Sequence, residues 1–376
     1  MYLSHILKRD NNNIDLLRLL AALLVVWYHG PALFQNQDAA LSQRAIVPSL
    51  VPVTVDSGYV GVAVFFFLSG LLVTNSLISK GRVAPFVWAR FMRIMPGFLV
   101  TVLLAVFVIG PAFTTLPLEA YFRSGQTWRF LFRNAFLNIE YDLPGVWNDR
   151  VYGGFNGSAW SIPFEVGCYI FLLLSYILCN RWKVSRWIFY VMAFALAFIP
   201  EGLLPLFTGN EYSVLVQGDI FCFTVGSLMA VYKDRVRIDK SVVFVLLLAC
   251  VLLWRSTKII YYLFPLSTAI IFLYATSLKP LVGLRPKHDI SYGVYLWHWP
   301  VMEILYTWMP NVNFFVFWGT AVAVVVIIAY ASARLVEEPC QRWGRELSNR
   351  NISFPDNGVF IIIAFVVAAV IAKVCY

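Results

Sequence analysis

Long runs of apolar residues, each near twenty positions and separated by polar joints, dominate this chain. Eleven of them begin near Ile14, Gly58, Ile94, Trp160, Trp187, Ser213, Ser241, Ile259, Ser291, Asn313 and Asn357. About twenty apolar residues wound as an α-helix rise roughly 30 Å, the thickness of a bilayer's hydrocarbon core. The pattern therefore predicts an all-α, polytopic transmembrane helix bundle of about eleven helices. The run over Ser241–Trp254 is the weakest, being short. Most joints are brief, which predicts one helical bundle with no soluble domain grafted on. Two are long, Gln35–Ser57 and Leu116–Ala159. The second is rich in aromatic, Gly and Asn residues (Tyr141, Trp147, Tyr152, Phe155, Asn156), a composition that suits stacking on sugar rings or, alternatively, an interfacial aromatic belt with turns.

Composition agrees: 60% of the residues are hydrophobic and 13% charged, where soluble domains have about 45–50% and about 25%. The net charge of +9 follows from topology and calls for no nucleic acid. With the N-terminus in the cytoplasm, 20 of the 29 Lys and Arg residues fall on cytoplasmic segments and 8 on external ones, the asymmetry of the positive-inside rule. This predicts an integral protein of a bacterial inner membrane, N-terminus cytoplasmic and C-terminus external. Residues Met1–Asn13 are polar and the run after them lacks a small-residue cleavage pattern, so the first helix is expected to be retained. Six scattered cysteines without a CxxC pair argue against a disulfide framework or a zinc site. No internal repeat is evident, which lowers a reading as an inverted-repeat transporter.

Few polar groups lie inside the runs, and an ionisable side chain there costs on the order of 2.5–3.5 kcal/mol on insertion scales, so each asks for a function or a partner. The first run carries Asp15, Arg18 and His29. Eleven steps separate the last two, which returns them to within about 20° of one direction and about 16.5 Å apart along the axis. Asp15 and Arg18 stand at i,i+3 and can pair. His29 suits a general base or a hydrogen-bonded interior histidine. Ser69 and Gly70 in the second run can permit close helix packing or leave room for a slim ligand. The stretch Lys80, Arg82, Arg90 and Arg93, with Pro96 after it, reads as a basic loop; Arg90 and Arg93 share a face if it is helical, which suits a polyphosphate. Glu165, one turn inside Trp160, can orient an imidazole or neutralise an arginine. In Ser291–Pro300, His298 lies near mid-run with Tyr292 and Tyr295 in a similar sector, and Glu303 follows. Glu337-Glu338-Pro339 reads as helix termination before proline.

Taken in order along the chain, these pieces resemble the integral membrane acyltransferase 3 family of bacterial glycan O-acetyltransferases. The resemblance runs from about Asn13 to Pro339. It rests on Ile14-Asp15-Leu16-Leu17-Arg18 with His29 beyond, Phe66-Phe67-Leu68-Ser69-Gly70, Arg90 to Pro96, Trp160-Ser161 with Glu165, Ser291-Tyr292 with Tyr295-Leu296 and His298, and Glu337 to Pro339. It implies a ten-helix core that passes an acyl group, most simply acetyl from acetyl-CoA and without a metal, from the cytoplasm to a hydroxyl of an external glycan or lipid-linked saccharide such as lipopolysaccharide or capsule. Besides acyl-CoA and that acceptor, its only other surroundings are membrane lipids.

By the same resemblance, His29 and Arg18 are expected in catalysis, and Arg90 and Arg93 beside the donor at the CoA phosphates; Glu165, at a depth comparable with His29, is expected in catalysis with them, supporting the imidazolium. Ser69 and Gly70 are expected along the pantetheine path, and Tyr295 or His298 as donors to the oxyanion. A covalent acyl group on His29 is an alternative route. Ala89 departs from the family, whose members often carry another basic residue there. The boundary expected is 1–340 for the membrane acyltransferase domain and 341–376 for a cytoplasmic linker and an extra C-terminal span. That span, Asn357–Tyr376, is expected to lead into no esterase-like domain of the kind some relatives carry. Two other classes stand against the enzyme: a transporter using Arg18, His29 and Glu165 as a proton relay, and a non-catalytic assembly protein of an envelope polysaccharide complex.

Overall fold

The computed structural model describes residues 1–35, 55–150, 154–182 and 213–349. Its longer helices are α1 (Ile14–Gln35), α2 (Ser57–Lys80), α3 (Val83–Leu104), α4 (Gly125–Ala135), α5 (Ser161–Trp182), α6 (Ser213–Val231), α7 (Lys240–Leu252), α8 (Thr257–Thr276), α9 (Ser291–Trp308), α10 (Phe314–Ser332) and α11 (Glu338–Asn349). Among the described residues there is no strand, only an isolated bridge between Tyr2 and Arg237. Nine of the eleven apolar runs fall on helices; those beginning near Trp187 and Asn357 lie outside the described residues. Among the described residues six helical stretches are long and apolar enough to cross a membrane. The short Ser241 run yields the short α7, whose 13 residues rise about 20 Å.

Two expectations are corrected. The basic stretch after α2 is a loop only around Gly81 and Arg82. Gly81, at φ 63°, ends α2 by donating its N–H to the carbonyl of Leu77, and α3 starts at once with Pro85 in its first turn, where a missing N–H is harmless. Charged residues do not stop a helix of Ala, Arg, Met and Phe, so Arg90 and Arg93 stand on α3. Nor does the chain terminate at Pro339. It passes through a π-turn, Ala333–Glu337, and continues as α11 with Pro339 in its first turn. The same device occurs in α3, where the π-turn Ala105–Ile109 precedes Pro111. A proline clashes with the carbonyl four residues back, and a wide turn inserted just ahead of it relieves that clash without ending the helix.

The chain divides into two compact units. The first takes in Met1–Tyr28, Pro48–Gly81 and Glu165–Ser291. Its start is fixed in place: the terminal ammonium donates to the carbonyl of Ile238 at 2.8 Å. Asn12 and Asn13 then open α1 by accepting from the N–H groups of Ile14 and Leu16. Within this unit α2 and α6 touch backbone to backbone. A Cβ added to Gly70 would lie 2.0 Å from the carbonyl oxygen of Phe223, and one added to Gly226 would lie 2.2 Å from that of Phe67. Lipid supplies no hydrophobic force between helices, so dispersion across such close approaches holds them together. Phe67, Leu68, Leu71 and Cys222 fill the seam.

The second unit takes in His29–Val47, Arg82–Phe164 and Tyr292–Tyr376. α9 and α10 approach at Gly293, whose added Cβ would lie 2.8 Å from the Cα of Ala329. Gly344 of α11 meets Met92 of α3 in the same way. Phe34, at the end of α1, sits among Phe314, Phe317 and Tyr306.

Candidate active site

Two histidines meet inside the second unit. Nδ1 of His29 lies 3.0 Å from Nε2 of His298. The ring centroids are 5.2 Å apart and the planes 18° from parallel. The centroid separation exceeds the N···N distance by about two ring radii, so the hydrogen bond lies near both ring planes and the contact is edge to edge. Trp299 meets His29 edge-on, centroids 4.8 Å apart at 64°. His298 is fully buried and His29 half-buried.

One carbonyl fixes the protons of this pair. Nδ1 of His298 lies 2.8 Å from the backbone oxygen of Tyr295, which only accepts, so Nδ1 bears the hydrogen. A neutral ring then has its lone pair on Nε2, and His29 must donate to it from Nδ1. By this assignment the basic lone pair of His29 is on Nε2. A base held in a single tautomer by a second, buried group is what proton abstraction needs.

A segment of irregular chain lies along α9 and holds this turn. Arg150 bonds the carboxylate and the carbonyl of Glu303 and the hydroxyl of Thr307. Further along, Trp299 donates to the carbonyl of Gly154 at 3.0 Å, Asn156 donates to that of Leu296 at 3.0 Å, and the Tyr295 hydroxyl donates to that of Ser158 and lies 2.7 Å from Ser161 Oγ. Arg150 and residues 154–161 thus form a strap whose contacts run antiparallel to α9, from Thr307 down to Tyr295. Tyr295 and His298 were candidate oxyanion donors from sequence, but the single proton of each lies on a backbone carbonyl. In this structure the Tyr295 carbonyl holds His298, and His298 lies against His29.

Arg18 belongs to the first unit. Its Nη1 lies 3.1 Å from Oδ2 of Asp289 and 3.9 Å from Asp15, so Asp289 is the nearer partner. The other oxygen of Asp289 accepts from the N–H and hydroxyl of Ser291, opening α9. Glu165 is in the same unit: Ser69 donates to its Oε1 at 2.6 Å, and the Tyr169 hydroxyl donates to the same oxygen. Ser69 is therefore a ligand of Glu165. Of the two readings of Gly70, close packing is the one the structure holds, because α6 backbone fills the space beside it. On α3, in the second unit, Arg90 and Arg93 stand at i,i+3, both half-buried; the Arg93 guanidinium lies 5.9 Å above the Tyr292 ring. Tyr292 also donates to the carbonyl of Ile94 at 2.9 Å, tying α9 to α3. Among the described residues no three His, Cys, Asp or Glu come together as a metal site.

A family model described as an acyltransferase domain matches residues 11–334. The chain belongs to the acyltransferase 3 family. It is similar to an O-acetyl transferase of Shigella phage Sf6, with 25% identity over 338 residues covering 87% of this chain and 95% of that protein. Nodulation protein 10 of Rhizobium leguminosarum bv. viciae is 27% identical over 381 residues, covering 91% and 96%. The peptidoglycan O-acetyltransferase OatA of Listeria monocytogenes is 22% identical over 400 residues, covering 93% of this chain and 58% of OatA. No solved structure matches.

For a membrane acyltransferase, three partners of the residues singled out above, two in the first unit and one in the second, escape a reading of the sequence. Asp289 holds Arg18 from a position just before α9, where a short acid followed by Ser291 signals only a helix start. Tyr169 joins Glu165 at i+4 on α5, a spacing that sequence alone does not distinguish from ordinary packing. Arg150 reads as one charge in a long loop, and nothing local assigns it to Glu303.

Proposed function

We propose that this acyltransferase moves an acyl group, most simply acetyl, from cytoplasmic acyl-CoA to a hydroxyl of an envelope glycan on the outer side of a bacterial inner membrane. The hydrogen bond from His29 to His298 carries the reading, because it puts the basic lone pair of His29 on Nε2. The acceptor hydroxyl oxygen attacks the thioester carbonyl carbon while Nε2 of His29 takes its proton. The tetrahedral species then collapses, the carbon–sulfur bond breaks, and the imidazolium returns the proton to the departing thiolate. His298 accepts from Nδ1 throughout and keeps the ring in place.

Arg90 and Arg93 are assigned to the donor's phosphates, since two guanidiniums one turn apart match a polyphosphate. Arg18, paired with Asp289, and Glu165, held by Ser69 and Tyr169, are assigned to shaping the helices that line the donor's path. The acetyltransferase names of the relatives support the acyl group and the glycan class. The orientation rests on the charge asymmetry of the sequence.

The test is the envelope glycan of cells with this chain, without it, and with His29→Ala. Loss of one acetyl signal on deletion, and its loss by about 10²–10⁴-fold in rate with His29→Ala at equal membrane insertion, is the expected result. Unchanged acetylation with His29→Ala would remove the histidine from the chemistry.

A further inference from the structure

Beside Arg150 lie two buried polar atoms with no hydrogen-bond partner among the described residues. Glu303 is 1% exposed and its Oε2 is bonded to Arg150, yet its Oε1 has no hydrogen-bond partner. Trp147 is 6% exposed, and its indole N–H has none either. One is an acceptor and the other a donor. Both border the same guanidinium, since the Arg150 head lies 5.6 Å over the Trp147 ring and 4.9 Å over that of Tyr306 while it bonds Glu303. Leaving either atom dry forfeits a hydrogen bond to water without replacing it, and such groups in a native fold ask for an occupant.

Two further features belong to the same place. Trp147 has φ 53°, a left-handed conformation that a bulky residue adopts only under constraint, and such outliers cluster at ligand clamps. A row of rings also leads outward from it. Trp147 meets Phe113 at 5.4 Å, and Phe113 meets Trp308 at 6.0 Å; Trp308 is 68% exposed. Exposed Thr307 flanks the row and bonds Arg150.

The geometry points to a binding subsite for a polyhydroxylated ring, a saccharide, made by Glu303, Trp147 and Arg150 with Trp308 and Phe113 as its apolar wall. A saccharide hydroxyl at Glu303 Oε1 donates to it and another at Trp147 Nε1 accepts from it, while the ring's C–H face lies on the aromatics. A saccharide supplies this combination of donor, acceptor and apolar face, whereas an acyl chain supplies none of the polar half. Glu303 is five residues beyond His298 on α9, about 7.5 Å along the axis, a span that one or two sugar rings bridge. The inference rests on the acyl-transfer reading and deepens it: the subsite holds the acceptor while His29 acts on a neighbouring hydroxyl.

The experiment compares cells carrying the wild type, Glu303→Gln, Trp147→Phe or no chain at all, scoring acetyl content of the envelope glycan at equal protein. Purified full-length protein is scored in parallel for its thermal shift with coenzyme A. Trp147→Phe keeps the ring and removes only the N–H, so it reports even if Glu303→Gln fails to fold. A fall in acetylation of at least about fivefold in a folded variant, with the coenzyme A shift retained, is the expected result; fivefold corresponds to about 1 kcal/mol. Unchanged acetylation in both variants overturns the subsite and leaves trapped water at the two atoms. Loss of acetylation together with loss of the coenzyme A shift also overturns it, because the strap then serves the fold as a whole. If cells without the chain keep every acetyl group, the acyl-transfer reading itself fails.

Discussion

α2 and α6 are joined by what is missing from them, and α9 and its strap by what they carry. In the first pair, Gly70 and Gly226 lack side chains where the facing backbone passes. In the second, buried Asn156 and Ser158 and the ring N–H of Trp299 reach the carbonyls of Leu296, Tyr295 and Gly154. The difference teaches where each region is brittle. A seam held by dispersion tolerates changes of polarity poorly and changes of volume not at all. A strap held by directed hydrogen bonds is sensitive to the loss of single atoms, and the first thing lost is the position of His298.

The largest effect is expected at the glycine seam. With Gly70→Val a branched carbon must occupy a place 2.0 Å from the carbonyl oxygen of Phe223. Backbone cannot swing aside as a side chain does, so α2 and α6 must separate. Overpacking of this kind costs about 3 kcal/mol. Thermal unfolding of purified protein in detergent should show a markedly lowered midpoint and a poor yield of monodisperse material. A wild-type midpoint would mean that the two helices do not approach as described.

A smaller and different effect is expected in the second unit. His298→Ala removes the acceptor that sets the His29 tautomer and should lower kcat by roughly 10²-fold, with little change in donor KM, since misplacing a catalytic base costs turnover before binding. His298→Gln supplies a carbonyl oxygen near the position of Nε2 and should recover part of the loss. The pairing is refuted if alanine keeps the rate within about threefold, or if glutamine does no better than alanine. Both variants should unfold near the wild-type temperature, which is the contrast with Gly70→Val.

The same contrast explains what the sequence disclosed. Apolar runs of the right length marked nine of the described helices, because the bilayer demands length and apolarity of every span regardless of its neighbours. They missed that α3 begins at Val83 and that α10 runs on into α11, because a polar stretch of helix has no apolar signature, Pro85 falls in a first turn and Pro339 is accommodated by the π-turn before it. At the site, His29 and His298 were legible as costly groups within apolar runs, and Arg18 and Glu165 likewise. Their partners were not. The His29 bond to His298 spans 269 residues of sequence, and Arg150 reaches Glu303 across 153; no local spacing encodes either. Gly70 was visible but ambiguous until Phe223 was seen opposite it.

Gly167 on α5 gives the smallest effect and the sharpest control on the seam. It is exposed, and a Cβ built there meets no atom within 4 Å, whereas Gly70, in the same unit, meets a carbonyl. In water an interior helical Gly→Ala change gains up to about 1 kcal/mol from the backbone entropy that glycine forfeits on folding. A chain in lipid keeps its helices even when their packing is lost, since unpaired backbone groups are too costly there. Most of that gain therefore appears on both sides of the unfolding equilibrium, and at most about 0.5 kcal/mol should remain for Gly167→Ala. The midpoint in detergent should be unchanged or slightly raised, and acetylation in cells unchanged. A drop comparable with that of Gly70→Val would show that glycine as such, and not the closeness of a facing backbone, is what the first unit requires.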